Sequence, residues 1–166
     1  MKIAILGSGG REHAMAVSIL KSEKVKKIYC LPGNGGTSEL AENIDIDINN
    51  FKEIHNFIQK KKIDFVVVGP EEPLVNGIVD YLQKFNIKVF GPNKKASQLE
   101  GSKIFTKNIC KKYNIPTADF GVFKNKETSI KYINKAKHPL VIKADNLAAG
   151  KGVYICKDQK ESSLAV

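Results

Sequence analysis

Short runs of apolar residues alternate with longer segments in which apolar residues recur every three or four positions. The short runs are typical of strands and are KIAIL (2–6), KIYCL (27–31), IDIDI (44–48), IDFVVVG (63–69) and IKVFG (87–91). The longer segments have the spacing of amphipathic helices and cover 11–22, 51–62 and 74–85. Strands that alternate with helices of this length need crossover connections. The pattern therefore predicts an α/β fold with a mostly parallel sheet, covered on both faces.

Glycine-rich or proline-rich turns follow four of the predicted strands, after Leu6, Leu31, Val68 and Phe90. Parallel strands place their carboxyl ends at one edge of the sheet, which is where such sheets bind ligands. We therefore expect these turns to form one site.

The pattern changes after Pro92. Residues 94–116 predict two helical pieces, with a break near Gly101 and a stop before Pro116. Further segments follow, namely the run 118–123, a helical stretch 127–137, the apolar run 139–144, the loop 145–152 and the run 153–156. We place a domain boundary near residue 100.

Asp158 and Glu161 predict the start of another helix, of the capping-box type. Only about two helical turns fit before Val166, and a sheet begun in this region would keep an unpaired edge. We therefore expect the chain to be a fragment or a truncated product of something longer.

The charge of the chain is strongly positive, at +10 over 166 residues. Its lysines are scattered over predicted helix faces without interleaved aromatic residues, so we expect no nucleic-acid partner.

No apolar run approaches the roughly 20 residues that cross a bilayer, and no signal peptide precedes the first strand. We expect no membrane association and a cytoplasmic location. The three cysteines and three histidines lack metal-ligand spacing, so they predict no metal site.

The first turn, ILGSGGREH (5–13), places glycines between a predicted strand and a predicted helix. Backbone can approach a ligand closely there, and the helix N-terminus attracts anions. A dinucleotide-binding turn needs a small residue where Glu12 stands. Arg11 lies where the helix dipole disfavours a cation, so we expect it to face a ligand or to be ion-paired. The pattern leaves open whether Glu12 and His13 contact a ligand or are ordinary first-turn residues.

Two further turns are candidates for binding. PGNGGT (32–37) presents backbone N–H groups that suit a phosphate or a ribose, and a plain turn explains it equally well. GPEEPL (69–74) places Glu71 and Glu72 between two prolines at the end of a buried strand. These carboxylates suit hydroxyl groups or an amine, although rigid acidic turns without a ligand are common.

Lys143 closes an apolar predicted strand on the same face as Val141. A lysine in that position needs an anion, and the glycine turn GKG (150–152) follows shortly after it. The arrangement predicts a clamp for nucleotide phosphates, with a snorkelling lysine on an edge strand as the alternative. It is not a Walker A loop, because Asp145 replaces the first glycine and Gly152 replaces the residue that would hold magnesium.

Six blocks of sequence together resemble the phosphoribosylamine–glycine ligase (glycinamide ribonucleotide synthetase) family of the ATP-grasp superfamily. They are GSGGREHA, PGNGGT, VVVGPEEPLVNGIVD, FGPNKKASQLEGSKIFTK, IPTADFGVF and VIKADNLAAGKGV, and they match the amino-terminal part of that family in order. The resemblance implies a Rossmann-like N-terminal substrate domain at 1–100 and the truncated beginning of an ATP-grasp domain at 101–166. It implies that the complete protein joins phosphoribosylamine to glycine with ATP and Mg²⁺, through an enzyme-bound glycyl phosphate.

The resemblance also assigns site residues. Near the phosphoribosylamine site it places Gly9, Gly10, Arg11, Glu12, Asn34, Gly36 and Thr37. At the nucleotide phosphates it places Lys103, Lys143, Ala148, Ala149, Gly150, Lys151 and Gly152. The magnesium ligands of the family lie beyond Val166, so we expect this chain to be inactive by itself.

Two other functions stay open at this point. A nicotinamide-dependent oxidoreductase predicts a third glycine at position 12 and an acidic residue after the second strand, and Glu12 and the PGNGGT loop argue against both. A non-catalytic module that binds a ribose phosphate is compatible with the length of the chain.

Overall fold

The structure is a computed structural model that describes residues 1–145, 147 and 151–166. The chain divides into two compact units, Met1–Gln98 and Leu99–Val166. The first contains a five-stranded sheet and the second a two-stranded sheet. None of the helices in the described part of the chain has the length and apolar character that a membrane crossing requires.

The sheet of the first unit is entirely parallel, with strand order β3-β2-β1-β4-β5. Its strands are β1 (Lys2–Gly7), β2 (Lys27–Pro32), β3 (Glu42–Asn43), β4 (Phe65–Val68) and β5 (Val89–Phe90). The helices that alternate with them are α1 (Gly10–Ile19), α2 (Phe51–Lys61), α3 (Glu71–Asn76) and α4 (Ile78–Gln83), followed by α5 (Lys94–Gly101). A short 3₁₀ helix covers Thr37–Glu39. The predicted mostly parallel α/β fold is confirmed.

Two hydrophobic clusters lie on opposite faces of this sheet. Alternation along β1 sends Ala4 and Leu6 to one face, where α2 and α4 pack, and Ile3 and Ile5 to the other. The second face meets α1 through Ala16, which is fully buried. Each strand of the sheet centre is therefore apolar on both sides, as expected of a parallel sheet.

The prediction of a strand at 44–48 is wrong. The edge strand β3 is only two residues long and ends before this segment. Ile46 is buried and Ile44 and Ile48 are partly buried against the core, so the alternation does place apolar side chains inward. The segment is nevertheless no part of the sheet, because the register between β2 and β3 covers only Glu42 and Asn43.

The single helix predicted at 74–85 is also wrong in its boundaries. The helical region begins at Glu71 and divides into α3 and α4 at Gly77, whose φ of 97° lies in the left-handed region. Glu71 and Glu72 consequently lie in the first turn of a helix, with Pro70 at its N-cap.

The second unit contains α6 (Lys103–Lys112), α7 (Lys126–Ile133) and α8 (Gln159–Leu164), with an antiparallel pair of strands, β6 (Leu140–Lys143) and β7 (Val153–Cys156). The predicted break near Gly101 is confirmed, because α6 starts anew after Ser102, whose Oγ accepts the N–H of Phe105 at 3.0 Å. The predicted helix start at Asp158 is also confirmed. Its carboxylate accepts the N–H of Glu161 at 2.9 Å.

Truncation of Leu6 tests the packing of the central strand. Leu6 is fully buried, so Leu6→Ala should lower the free energy of unfolding by about 2–5 kcal/mol. Leu20→Ala is the matched control, because Leu20 is 39% exposed and its truncation should cost roughly 0.5 kcal/mol or less. Urea unfolding followed by circular dichroism measures both, and equal losses would contradict this assignment of the core.

Candidate functional site

The glycine-rich turns meet at the carboxyl edge of the five-stranded sheet. Strand β1 lies between β2 and β4, so the turns that follow the three strands are neighbours. The N–H of Gly33 donates to the carbonyl of Gly7, and the N–H of Gly69 donates to that of Leu6, each at 3.2 Å. Three of the four turns predicted to share one edge, those after Leu6, Leu31 and Val68, are therefore neighbours there. That the turns form one site stays a prediction.

Glu12 lies at the centre of this edge and is only 3% exposed. Its Oε2 accepts the N–H of Gly9 at 2.6 Å, which closes the first turn of α1. A Cβ atom added at Gly7 would lie 2.7 Å from the Glu12 carboxyl carbon, and one added at Gly69 would lie 2.0 Å from Oε1. Glycines on two different turns thus leave the space that the Glu12 carboxylate fills. The position that a dinucleotide-binding turn keeps small is occupied by this side chain.

The second carboxylate oxygen of Glu12 is buried and accepts no hydrogen bond from the residues that the structure describes. The nearest cation is Arg11, whose Nε lies 3.6 Å from this Oε1. A buried acceptor without a hydrogen bond is energetically costly and rare in folded proteins. This oxygen lies against Gly69, so the Arg11 guanidinium is the group of this pair that solvent can reach.

Arg11 bridges the first and third turns. Its Nη1 donates to the carbonyl of Gly69 at 2.8 Å, and its Nη2 lies 3.2 Å from Oε2 of Glu71 in the first turn of α3. Of the two environments expected for Arg11, the structure shows the ion-paired one. Because its side chain is about half exposed, this ion pair is worth at most about 1 kcal/mol, and an anionic ligand can rearrange it at low cost.

Asn34 and Thr37 build the second turn and hold it against the first. The Asn34 amide nitrogen donates to the carbonyls of Ser8 at 2.8 Å and Gly9 at 3.2 Å, while its Oδ1 accepts the N–H of Thr37 at 2.9 Å. Thr37 is fully buried, and its hydroxyl accepts the N–H of Asn34 at 2.7 Å. Both side chains thus have protein partners that position the loop. Direct contact of either with a substrate stays a prediction.

Two glycines of the predicted site differ in what surrounds them. A Cβ atom at Gly36 would lie 3.2 Å from the ring of His13, so this glycine lets the first and second turns pack closely. A Cβ atom at Gly10 would meet nothing within 4 Å. The sequence alone could not assign His13, and the structure places its ring against the second turn.

Cys30 lies on β2 next to this network. Burial raises the pKa of its thiol, the side-chain hydrogen bond with Thr37 opposes that shift, and the Glu12 charge adds to it. The thiol is consequently held in its neutral, weakly nucleophilic form.

In the second unit, Lys143 ends β6 with its side chain exposed. It shares a face with Val141, as predicted, and lies opposite Val153 of β7. Val141 is 52% exposed and Ile155, directly opposite it, is 74% exposed. This face therefore combines an open apolar surface with a cation at one end.

Asp145 joins the end of β6 to the start of α6. Its Oδ1 accepts the N–H of Ile104 at 3.0 Å, and its carboxylate accepts the hydroxyl of Ser102 at 3.1 Å. Lys103 occupies the first position of α6, between these two contacts. The two lysines predicted for nucleotide phosphates thus belong to elements that Asp145 connects.

The rest of the predicted nucleotide loop is only partly within the described residues. Gly152 has a φ of 73°, and its carbonyl accepts the N–H of Ala144 at 2.9 Å. Lys151 precedes it and is exposed. Ala148, Ala149 and Gly150 lie outside the described residues. Within residues 1–145, 147 and 151–166, no group of three or more acidic, histidine or cysteine side chains is placed to hold a metal ion.

Two family models match the chain. Residues 1–100 match phosphoribosylglycinamide synthetase, N domain, and residues 101–166 match the ATP-grasp (A) domain of the same enzyme. Among curated relatives, the phosphoribosylamine–glycine ligase of Clostridium acetobutylicum is 51% identical over 160 residues, which are 96% of this chain and 38% of the relative. The ligase of Mesorhizobium japonicum is 50% identical over 166 residues, covering 100% of this chain and 39% of its own length. The chain thus spans less than half the length of these relatives.

Solved structures give the same comparison. The phosphoribosylamine–glycine ligase of Thermotoga maritima superposes with a TM-score of 0.77 at 34% identity, covering 99% of this chain and 38% of that one. An ADP complex of N5-carboxyaminoimidazole ribonucleotide synthetase superposes with a TM-score of 0.80 at 20% identity, covering 99% of this chain and 43% of that one. At that lower identity the likeness shows the fold alone.

Gly69→Ala tests the close contact between the third turn and Glu12. The added Cβ atom would displace the carboxylate, so we expect a loss of about 1–3 kcal/mol in the free energy of unfolding. Gly10→Ala is the control and should be neutral or slightly stabilising, because the space there is open. Chemical denaturation of both variants, of Glu12→Ala and of the double variant Gly69→Ala/Glu12→Ala measures the coupling. If removal of the Glu12 side chain relieves none of the loss, the steric explanation is incorrect.

Proposed function

The chain belongs to the phosphoribosylglycinamide synthetase family, and we propose that it contributes the sugar-phosphate site and part of the nucleotide site of an ATP-dependent ligase. In the proposed reaction, 5-phosphoribosylamine and glycine form glycinamide ribonucleotide. A carboxylate oxygen of glycine attacks the γ-phosphorus of ATP and releases ADP. The amine nitrogen then attacks the carbonyl carbon of glycyl phosphate, loses a proton and displaces phosphate. The activity is assigned to a polypeptide of the length of the relatives.

The half-exposed Arg11 guanidinium at the N-terminus of α1 is the observation that carries the sugar-phosphate assignment. A guanidinium at a helix N-terminus suits a phosphate group. The exposed carboxylate of Glu71 beside it suits hydroxyl groups and an amine. Phosphoribosylamine carries all three kinds of group. A dinucleotide is a poor match, because the Glu12 carboxylate already fills the turn.

The open face of β6 and β7 supports the nucleotide assignment. Lys143 offers a cation for a phosphate, and Val141 and Ile155 offer apolar surface for a base on the same face. Lys103 directly follows Ser102, the N-cap of α6. Its neighbours Ser102 and Ile104 both donate hydrogen bonds to Asp145, which lies just after β6. ATP brings Mg²⁺ as a charge-neutralising partner of its phosphates, and the described residues include no cluster suited to hold the ion. We propose that its ligands belong to the remaining part of a full-length ligase.

The test of the sugar-phosphate site uses an extended chain, in which the part of the Clostridium acetobutylicum relative beyond the matched region follows residue 166. Arg11→Ala should weaken binding of ribose 5-phosphate by about 1.5–3 kcal/mol, roughly ten- to 150-fold in Kd, because a charged donor is lost. Isothermal titration calorimetry measures the affinity. Lys21→Ala is the control, since Lys21 is an exposed lysine just beyond α1. Equal affinities of the Arg11→Ala variant and the unmodified protein would remove Arg11 from the site.

The nucleotide site is tested by Lys143→Ala in the same extended chain. Loss of its charge should weaken binding of MgATP by roughly tenfold or more, and leave the affinity for ribose 5-phosphate unchanged. Lys157→Ala, at an exposed lysine directly after β7, should change neither affinity. Calorimetric titration with each ligand separates the two sites. A snorkelling surface lysine at position 143 would leave the affinity for MgATP unaltered.

A further inference from the structure

On the α1 side of the five-stranded sheet, helix α1 leaves part of the sheet surface uncovered. A groove of about 360 Å³ runs along this face between α1 and the strands β1, β4 and β5. Its lining is apolar except for Ser18 and consists otherwise of Ile3, Met15, Ile19, Phe65, Val67 and Phe90. We call it the β4–β5 groove.

The strand geometry places Phe90 on the face of the sheet that contains the groove. Alternation along β5 sends Val89 toward the core cluster beneath α2 and α4, and Phe90 to the opposite face. Phe90 is 64% exposed there, whereas Val66 of the neighbouring strand is fully buried on the covered face. The other apolar residues of the lining are buried or partly buried, so Phe90 is the exposed apolar side chain at the rim of this groove. Parallel sheets are normally covered on both faces, which makes this rim a candidate for interaction.

The charge of the chain and the length of its relatives indicate what covers the groove. A second copy is disfavoured, because two chains of net charge +10 repel each other. The curated relatives carry much more polypeptide than this chain matches, since the matched region is 38% or 39% of their length. We propose that the β4–β5 groove is the docking surface for that further polypeptide, which presents apolar side chains to Phe90 and Met15.

This docking affects the candidate site through β4. The turn that follows β4 contains Gly69, whose carbonyl accepts a hydrogen bond from Arg11. Phe65 and Val67 on the same strand face the groove. Polypeptide packed over the groove therefore supports β4, the strand whose following turn holds the Gly69 carbonyl in contact with Arg11.

Hydroxyl-radical footprinting with mass spectrometry tests the proposal on the chain as given and on the extended chain. We expect the oxidation of Met15 and Phe90 to be severalfold slower in the extended chain. Met1 and Phe85 are the internal controls. Each is 44% exposed and outside the groove lining, so the oxidation rates of both should stay unchanged. Tyr29 is 5% exposed, and its slow oxidation in both proteins reports an intact fold.

A variant makes the comparison specific to the groove. Phe90→Asp in the extended chain should return Met15 oxidation toward the rate seen in the shorter chain, and Phe85→Asp should not. Equal rates for Met15 in the two unmodified proteins would overturn the proposal. Concentration-dependent protection in the shorter chain, with a dimer in sedimentation, would overturn it in favour of a second copy. No ligand takes part, so the outcome is independent of binding at the sugar-phosphate and nucleotide sites.

Discussion

The carboxylate of Glu12 is the constraint on which the carboxyl edge of the sheet depends. It occupies a space that exists only because Gly7, Gly9 and Gly69 have no side chains, and it closes the first turn of α1 through the N–H of Gly9. An acid on the first turn thereby requires a glycine on the third turn, far away in sequence. The same carboxylate prevents this turn from serving as a dinucleotide-binding turn of the usual kind.

The energetic cost of burying the Glu12 carboxylate is offset only in part. The N-terminus of α1 and the nearby Arg11 guanidinium both favour its negative charge. Glu71 draws the same guanidinium toward the third turn, so Arg11 is held between two acids. Oε1 of Glu12 is left without a hydrogen bond among the described residues. The guanidinium of Arg11 is half exposed, so the group through which we propose that a sugar phosphate binds lies at the surface, beside a carboxylate that the glycine turns already enclose.

The sheet and the edge that holds the turns could be predicted from the sequence, because runs of β-branched residues between amphipathic helices restrict the topology. The segment 44–48 shows the limit of that reasoning. Alternation reports which side chains face the core, and Ile46 does face it, but alternation does not report whether a neighbouring strand offers hydrogen bonds. The prediction of a single helix over 74–85 was wrong for a local reason. Gly77 adopts a left-handed conformation that the spacing of apolar residues does not reveal.

The candidate site was predictable to a different degree on each turn. Arg11 was expected to be ligand-facing or ion-paired from its position at a helix start, whereas its partners Gly69 and Glu71 follow from tertiary contacts that no local pattern contains. Lys143 could be singled out from the pattern, while Lys103 was assigned only by resemblance. Asn34 was expected near the substrate, and its amide proves to join two turns of the protein.

The two units differ in how far their own residues bond or cover the surfaces proposed to bind ligands. In the first, Asn34 and Thr37 form hydrogen bonds with each other and with the backbone of the first turn, so the first two turns hold each other in place. In the second, the consecutive residues Val153, Tyr154 and Ile155 are all exposed, although successive side chains of a strand point to opposite faces. Both faces of that two-stranded sheet are therefore open along β7. The proposed sugar-phosphate site thus lies on an edge whose side chains are bonded to one another, whereas the proposed nucleotide site lies on a sheet that its own unit leaves open.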